Sequence, residues 1–217
     1  MNAPTDRDLH AVLWDFGGVI LSSPFEAFNR YEERSGLPAN FIRSVNAADP
    51  HSNAWARLER SELSAEEFDL AFAEESEQLG YRVPGVDVLG LLSGEVRPEM
   101  VAALDAVIAA GFRTACLTNN VSAGNAVGGE PRPDVADVMR RFHLVLESSK
   151  VGVRKPEPRF YELACELLDV EPPHCVFLDD LGINLKPAAA MGMTTIKVVD
   201  PETALADLSA VTGLDLI

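Results

Sequence analysis

Residues 11–19 are Ala11-Val12-Leu13-Trp14-Asp15-Phe16-Gly17-Gly18-Val19: four apolar residues, then an aspartate, then a turn built around two glycines. An apolar run without alternation is typical of a strand that is buried on both faces of a parallel sheet. Ligands of such sheets bind beyond the carboxyl ends of the strands, which is where Asp15 stands. An aspartate before glycine is also an ordinary way to begin a turn. Asp15 alone therefore supports two interpretations, a nucleophile or a turn residue.

Three later segments place polar side chains at the end of an apolar run or in a stiff loop. They are Arg113–Asn120, Gly152–Pro158 and Cys175–Asp180. The first ends in Thr118 and Asn119, neutral donors that suit phosphate oxygens, and the second holds Lys155 between a glycine and two prolines. The third ends in Asp179 and Asp180, and paired carboxylates are the oxygen ligands that magnesium prefers. Each feature is ordinary by itself, but their joint occurrence in this order favours a common site.

Taken in order, these motifs resemble those of the haloacid dehalogenase-like (HAD) hydrolase superfamily, specifically its phosphatase-type members with a small helical cap after the first strand. The resemblance covers the chain from about Ala11 to about Val199. It implies an α/β fold, a doubly wound five-stranded parallel sheet with a Rossmann-like core. The implied domains are a core formed by residues 9–20 and 96–217 and an inserted helical cap formed by residues 21–95.

The resemblance also implies a role for each motif residue. Asp15 is implied to be the nucleophile that becomes an aspartyl-phosphate, and Lys155 the charge that steadies both Asp15 and the phosphate. The implied phosphate contacts are Thr118, Asn119 and Lys155. The implied cofactor is Mg²⁺, with Asp15, the carbonyl of Gly17, Asp179 and Asp180 as its ligands.

One position departs from the family pattern. Most phosphatases of the superfamily carry a second aspartate two residues after the nucleophile, where it protonates the leaving alcohol, and Gly17 stands there in this chain. A positioned general acid or base is worth about 10² to 10⁴ in rate, so we expect weakened turnover of a small phosphomonoester, or an acid supplied by the cap or the substrate. A backbone angle that aspartate does not easily adopt is a second reason for glycine. Two alternatives stay open: a non-hydrolytic phosphate- and metal-binding regulatory module, and a dehalogenase-type hydrolase of carbon–halogen bonds.

Length and composition agree with an enzyme of this kind. With 217 residues, 47% of them apolar, the chain fits one α/β domain with an insertion. A net charge of −16 argues against nucleic acids and anionic membranes as partners. The chain has no apolar segment approaching about 18 residues and begins with a polar stretch unlike a signal peptide. We therefore expect a cytoplasmic monomer or homodimer whose partner is a small phosphorylated metabolite.

Smaller features of the sequence complete these expectations. Ser64-Ala65-Glu66-Glu67 has the form of a capping box and predicts a helix start inside the insertion. The Gly- and Pro-rich residues 121–133 form either a lip of the site or a surface loop. Three cysteines in apolar patterns are interpreted as reduced core thiols: Cys116, Cys165 and Cys175. Four scattered histidines are assigned no role: His10, His51, His143 and His174.

Overall fold

The computed structural model describes residues 8–92, 94–120 and 132–217. In these ranges the strands are β1 (Ala11–Trp14), β2 (Arg113–Thr118), β3 (Leu144–Glu147), β4 (Cys175–Asp179) and β5 (Thr194–Lys197). They form a parallel sheet in the order β3-β2-β1-β4-β5. The five-stranded parallel sheet is thus confirmed. Most of the segment that we considered as a lip of the site, residues 121–131, lies outside the described residues.

Helices connect and flank the strands. They are α1 (Phe25–Ser35), α2 (Phe41–Ala47), α3 (Ala54–Glu59), α4 (Ala65–Gln78), α5 (Gly85–Gly90), α6 (Pro98–Ala109), α7 (Pro133–Met139), α8 (Ser148–Val151), α9 (Pro158–Leu168), α10 (Gly182–Ala190) and α11 (Pro201–Thr212). Within the described ranges, no helix is at once long enough and apolar enough to cross a membrane.

The core lies on both faces of the sheet because side chains of β1 alternate between them. Val12 and Trp14 join one hydrophobic cluster with residues of α6 and α11. Ala11 and Leu13 join a second cluster with residues of α9 and α10. All four β1 residues are fully buried. This double burial explains the continuous apolar run in the sequence and leaves only the ends of the strands available for ligands.

The segment between β1 and α6 contains α1 to α5, which pack around a third hydrophobic cluster that includes Phe28, Phe68 and Phe72. The predicted capping box is present: Ser64 accepts from the backbone of Glu67, whose side chain accepts in return from the backbone of Ser64. The two ends of this helical segment lie next to each other, because Leu21 and Val96 form an isolated antiparallel bridge. The segment is helical as expected, and the domain boundaries at residues 21 and 95 stay a prediction.

Candidate active site

Three adjacent strands bring the predicted residues together at the carboxyl edge of the sheet. Asp15 follows β1, Thr118 ends β2 and Asp179 ends β4, with Asp180 directly after it. Carboxylate oxygens of Asp15, Asp179 and Asp180 all lie within 4.8 Å of one another. The parallel register produces this convergence, because β1 pairs with β2 on one side and with β4 on the other.

Lys155 lies at the centre of the site, although it belongs to the loop between α8 and α9. Its side chain is 1% exposed, and its ammonium lies 2.7 Å from Asp15 Oδ1 and 2.7 Å from Asp179 Oδ2. Burial by itself would lower the pKa of Lys155, but the two carboxylates outweigh burial and hold this pKa above its ordinary value. The lysine is therefore a buried, fixed positive charge and not a solvated loop residue.

Two carboxylates of the crevice, Asp15 and Asp180, carry raised pKa values. Burial raises the pKa of Asp15 well above its ordinary value, and Asp179 and Asp180 raise it further, while Lys155 only partly offsets the rise. Burial, followed by the charge of Asp179, raises the pKa of Asp180 to about 6. One ammonium among three carboxylates leaves a net charge of minus two when all are ionised. A divalent cation with oxygen ligands fits that donor set and that charge.

Asp179 is the most firmly held of the three carboxylates. It is fully buried and accepts hydrogen bonds from Leu181 N at 2.8 Å and from Asn184 Nδ2 at 3.0 and 3.1 Å, in addition to Lys155. The backbone of Asn184 is itself held, because its main-chain carbonyl accepts from the hydroxyl of Tyr161 at 2.7 Å. These contacts give the Asp179 carboxylate one orientation before any ligand binds.

Besides Lys155, the two other residues predicted to contact phosphate have different surroundings. Thr118 is buried at the end of β2, and its hydroxyl has no hydrogen-bond partner among the residues that the structure describes. The side chain of Asn119 makes two hydrogen bonds of 2.9 Å with Lys155, donating to its carbonyl and accepting from its backbone N–H. Asn119 thus holds the Lys155 loop with its side chain, a contact that the sequence did not predict.

Comparison with known proteins identifies the family of the chain. A family model described as haloacid dehalogenase-like hydrolase matches residues 9–192. The chain belongs to this family. It is therefore a HAD-like hydrolase with the α/β fold that the strand order shows.

Relatives of this HAD-like hydrolase include parts of larger proteins. It is 34% identical over 215 residues to acyl-CoA dehydrogenase family member 10 of Mus musculus, which matches 97% of this chain and 20% of that protein. It is 32% identical over 221 residues to bifunctional epoxide hydrolase 2 of Sus scrofa, covering 96% of this chain and 40% of that protein. The chain thus spans well under half the length of these two relatives.

Solved structures share the fold at lower identity. A HAD-like family hydrolase from Porphyromonas gingivalis superimposes with a TM-score of 0.65 and 20% identity, covering 96% of this chain and all of the other. The HAD family enzyme BT-2542 from Bacteroides thetaiotaomicron, in complex with magnesium and inorganic phosphate, gives a TM-score of 0.57 and 18% identity, over 87% of this chain and 93% of the other.

The two glycines that follow Asp15 and Phe16 differ in whether their backbone requires glycine. Gly18 has a φ of +78°, and a Cβ there would lie 2.2 Å from Asp180 Oδ2, so only glycine fits. Gly17 has an ordinary extended conformation (φ −71°, ψ 130°), and a Cβ there would meet nothing within 4 Å. The backbone therefore does not require glycine at position 17, which answers the question that the sequence left open.

One residue of the site was missed in the sequence. Glu59, at the end of α3, is 5% exposed and lies against the site, where its carboxylate accepts from Asn119 Nδ2 at 3.2 Å and from Trp55 Nε1 at 3.0 Å and pairs with Arg154. Burial raises the pKa of Glu59, and Arg154 partly offsets the rise. No local pattern marks Glu59, because a glutamate at the end of a short helix is usually solvated. Its importance comes from the contact between α3 and the loops of the site.

Proposed function

We propose that this hydrolase is a Mg²⁺-dependent phosphatase that transfers the phosphoryl group of a small cytoplasmic phosphomonoester to Asp15 and then to water. The observation that supports the proposal best is the cluster of Asp15, Asp179 and Asp180, two of which, Asp15 and Asp179, contact the ammonium of Lys155. The magnesium and phosphate bound by the related fold of BT-2542 are in line with it. Displacement of a halide from carbon requires no cation, and so does not account for three carboxylates in one buried crevice.

The residues of the site would catalyse phosphoryl transfer by positioning the reacting groups and by supplying charge, the two effects that dominate catalysis of this reaction. Asp15 Oδ1 accepts from Phe16 N at 2.6 Å and from the Lys155 ammonium at 2.7 Å, and these contacts fix the plane of the nucleophilic carboxylate. The Lys155 ammonium stabilises the negative charge that gathers on the phosphoryl oxygens.

Metal and phosphate contacts complete the proposed site. Asp15, Asp179, Asp180 and the carbonyl of Gly17 would hold Mg²⁺, which supplies positive charge to the phosphoryl group. The hydroxyl of Thr118 and the backbone N–H of Asn119 would bind phosphate oxygens, since the Asn119 side chain is occupied by Lys155. With glycine at position 17, the leaving alkoxide takes its proton from water, and good leaving groups react faster.

The test is a screen of the purified protein against aryl, acyl and alkyl phosphates, with Mg²⁺ and with chelator. We expect Mg²⁺-dependent phosphate release that is faster for aryl and acyl phosphates and abolished by Asp15→Asn. Asp15-dependent halide release from 2-haloacids that persists in chelator would replace the proposal with dehalogenation. Binding of Mg²⁺ and phosphate without turnover of any ester would favour a regulatory module.

A further inference from the structure

A second cluster of ligand-type side chains lies at the opposite edge of the sheet from the carboxylate site. His10 directly precedes β1, and His174 directly precedes β4, the neighbouring strand. The backbone N–H of His10 donates to the carbonyl of His174 at 2.8 Å, and the two imidazole rings stack with centroids 4.7 Å apart and planes inclined by 15°. The strand register, rather than a local motif, therefore holds the two rings side by side.

Asp8 joins the two histidines as a third donor. Its carboxylate Oδ2 lies 3.1 Å from His10 Nε2, and ligand atoms of Asp8, His10 and His174 all lie within 4.8 Å of one another. The carbonyl of Asp8 also lies in hydrogen-bonding contact with His174 Nδ1. A carbonyl can only accept, so Nδ1 carries the proton and the lone pair of neutral His174 stands on Nε2. Metal-binding histidines are oriented in this way, by an N–H that donates to a carbonyl while the other nitrogen faces the metal.

The surroundings of the histidines are acidic. A surface cavity of about 550 Å³ is lined by both rings and by the glutamates Glu162, Glu166 and Glu171. Arg159 pairs with Glu162 and Glu166, so part of that charge is balanced. Asp8 has no arginine or lysine partner among the described residues, and its ionic contact is with His10. Asp8 and His10 are exposed and His174 is half-buried. Stacked rings direct their in-plane lone pairs in parallel, so the exposed His10 ring would rotate out of the stack to share one cation with His174 Nε2 and Asp8.

We propose that Asp8, His10 and His174 form a binding site for a divalent transition-metal ion such as Zn²⁺, distinct from the carboxylate site. Imidazole nitrogen suits zinc and its neighbours in the first transition series, whereas Mg²⁺ and Ca²⁺ take oxygen ligands. Two imidazoles and a carboxylate leave a fourth position for water, as in three-ligand zinc sites. The bound ion would join the start of β1 to the start of β4 and raise the stability of the folded chain.

The proposal is tested by calorimetric titration of the whole protein with Zn²⁺ in excess Mg²⁺, which keeps the carboxylate site occupied. His174→Ala should either bind one Zn²⁺ fewer than wild type or bind the Zn²⁺ of this site roughly 10- to 100-fold more weakly. His10→Ala should behave as His174→Ala does. His51→Ala, which removes an exposed histidine of the helical insertion, is the matched control and should bind as wild type does.

A second readout separates ligation from a general effect on folding. Co²⁺ bound by wild type in excess Mg²⁺ should show ligand-field absorption that both histidine variants lose, while circular dichroism shows that they remain folded. The proposal is overturned if both variants bind Zn²⁺ with the stoichiometry and affinity of wild type, or if the control loses the same ion. None of these results depends on phosphatase activity.

Discussion

Substitution of Gly17 by aspartate tests the chemistry of the site most directly. The position has extended backbone angles, and a Cβ there would meet no atom within 4 Å, so the backbone accepts a side chain without strain. It would stand two residues after Asp15, at the edge of the phosphate site. A carboxyl group there supplies the proton that a poor leaving group needs, an effect worth about 10² to 10⁴ in rate.

We expect Gly17→Asp to raise kcat for alkyl phosphates by about 10², the lower end of that range, because no evolved contacts orient the new carboxyl. This gain equals about 2.7 kcal/mol of transition-state stabilisation. Aryl phosphates should gain less than about tenfold, since their leaving groups need little protonation. A plot of log kcat against the pKa of the leaving alcohol should therefore be flatter for the variant than for wild type.

The assay is steady-state phosphate release over a series of esters at saturating Mg²⁺. Gly17→Asn is the matched control, because it has nearly the same shape but cannot donate a carboxyl proton. Gly18→Ala tests the geometric argument: its Cβ would collide with Asp180, so this variant should lose Mg²⁺ affinity. The reasoning is refuted if Gly17→Asp is no faster on alkyl esters than Gly17→Asn.

Three further predictions follow from the buried charges. Lys155→Met leaves Asp15 and Asp179 without the buried ammonium, so chemical denaturation without Mg²⁺ should show a loss of about 3–5 kcal/mol in unfolding free energy. Vanadate binding should weaken as well, and unchanged values of both would contradict the central position of Lys155. Glu59→Gln leaves Arg154 without its buried counter-charge, so it should lower the unfolding free energy by about 3 kcal/mol and weaken phosphate binding through Asn119. The control Glu62→Gln, at an exposed position, should change the unfolding free energy by less than about 0.5 kcal/mol, and equal effects of the two would refute a special role for Glu59. The pKa of Asp180 is raised from 3.8 to about 6, so in chelator the free energy of unfolding should fall as the pH rises from about 4 to about 6. Calorimetry should show that Mg²⁺ raises Tm more at about pH 7.5 than at about pH 5, and the reverse order would contradict the cation site.

Much of the fold follows from local sequence. The apolar run before Asp15 predicts a strand covered on both faces, and residues 11–14 are fully buried in two clusters. Thr118 and Asp179 end apolar runs and lie at the ends of β2 and β4. Such residues are predictable because the residues next to them in the sequence indicate both their burial and their position in the strand.

Contacts between distant segments are not predictable in this way. Asn119 looks like a ligand-facing amide, but its side chain is bound to the backbone of Lys155. Glu59 looks like a surface residue of a short helix, and its burial depends on how α3 meets the loop that carries Arg154. The sequence does not distinguish Gly17 from Gly18, and only the conformation of the turn shows which position requires glycine. In each case the decisive partner lies far away in sequence, where periodicity carries no information.

The register between β1 and β4 connects the two proposed metal sites. Ala11 pairs with Cys175, so the same offset pairs His10 with His174 at one end and Asp15 with Asp179 at the other. Five residues of extended strand separate the two ends, a distance of roughly 17 Å. Sites further apart than about 7–10 Å that share no partner contribute to stability almost additively. The β1–β4 pair would therefore carry both proposed metal sites, one with imidazole ligands and one with carboxylates. We expect that occupation of the first leaves the affinity of the second unchanged.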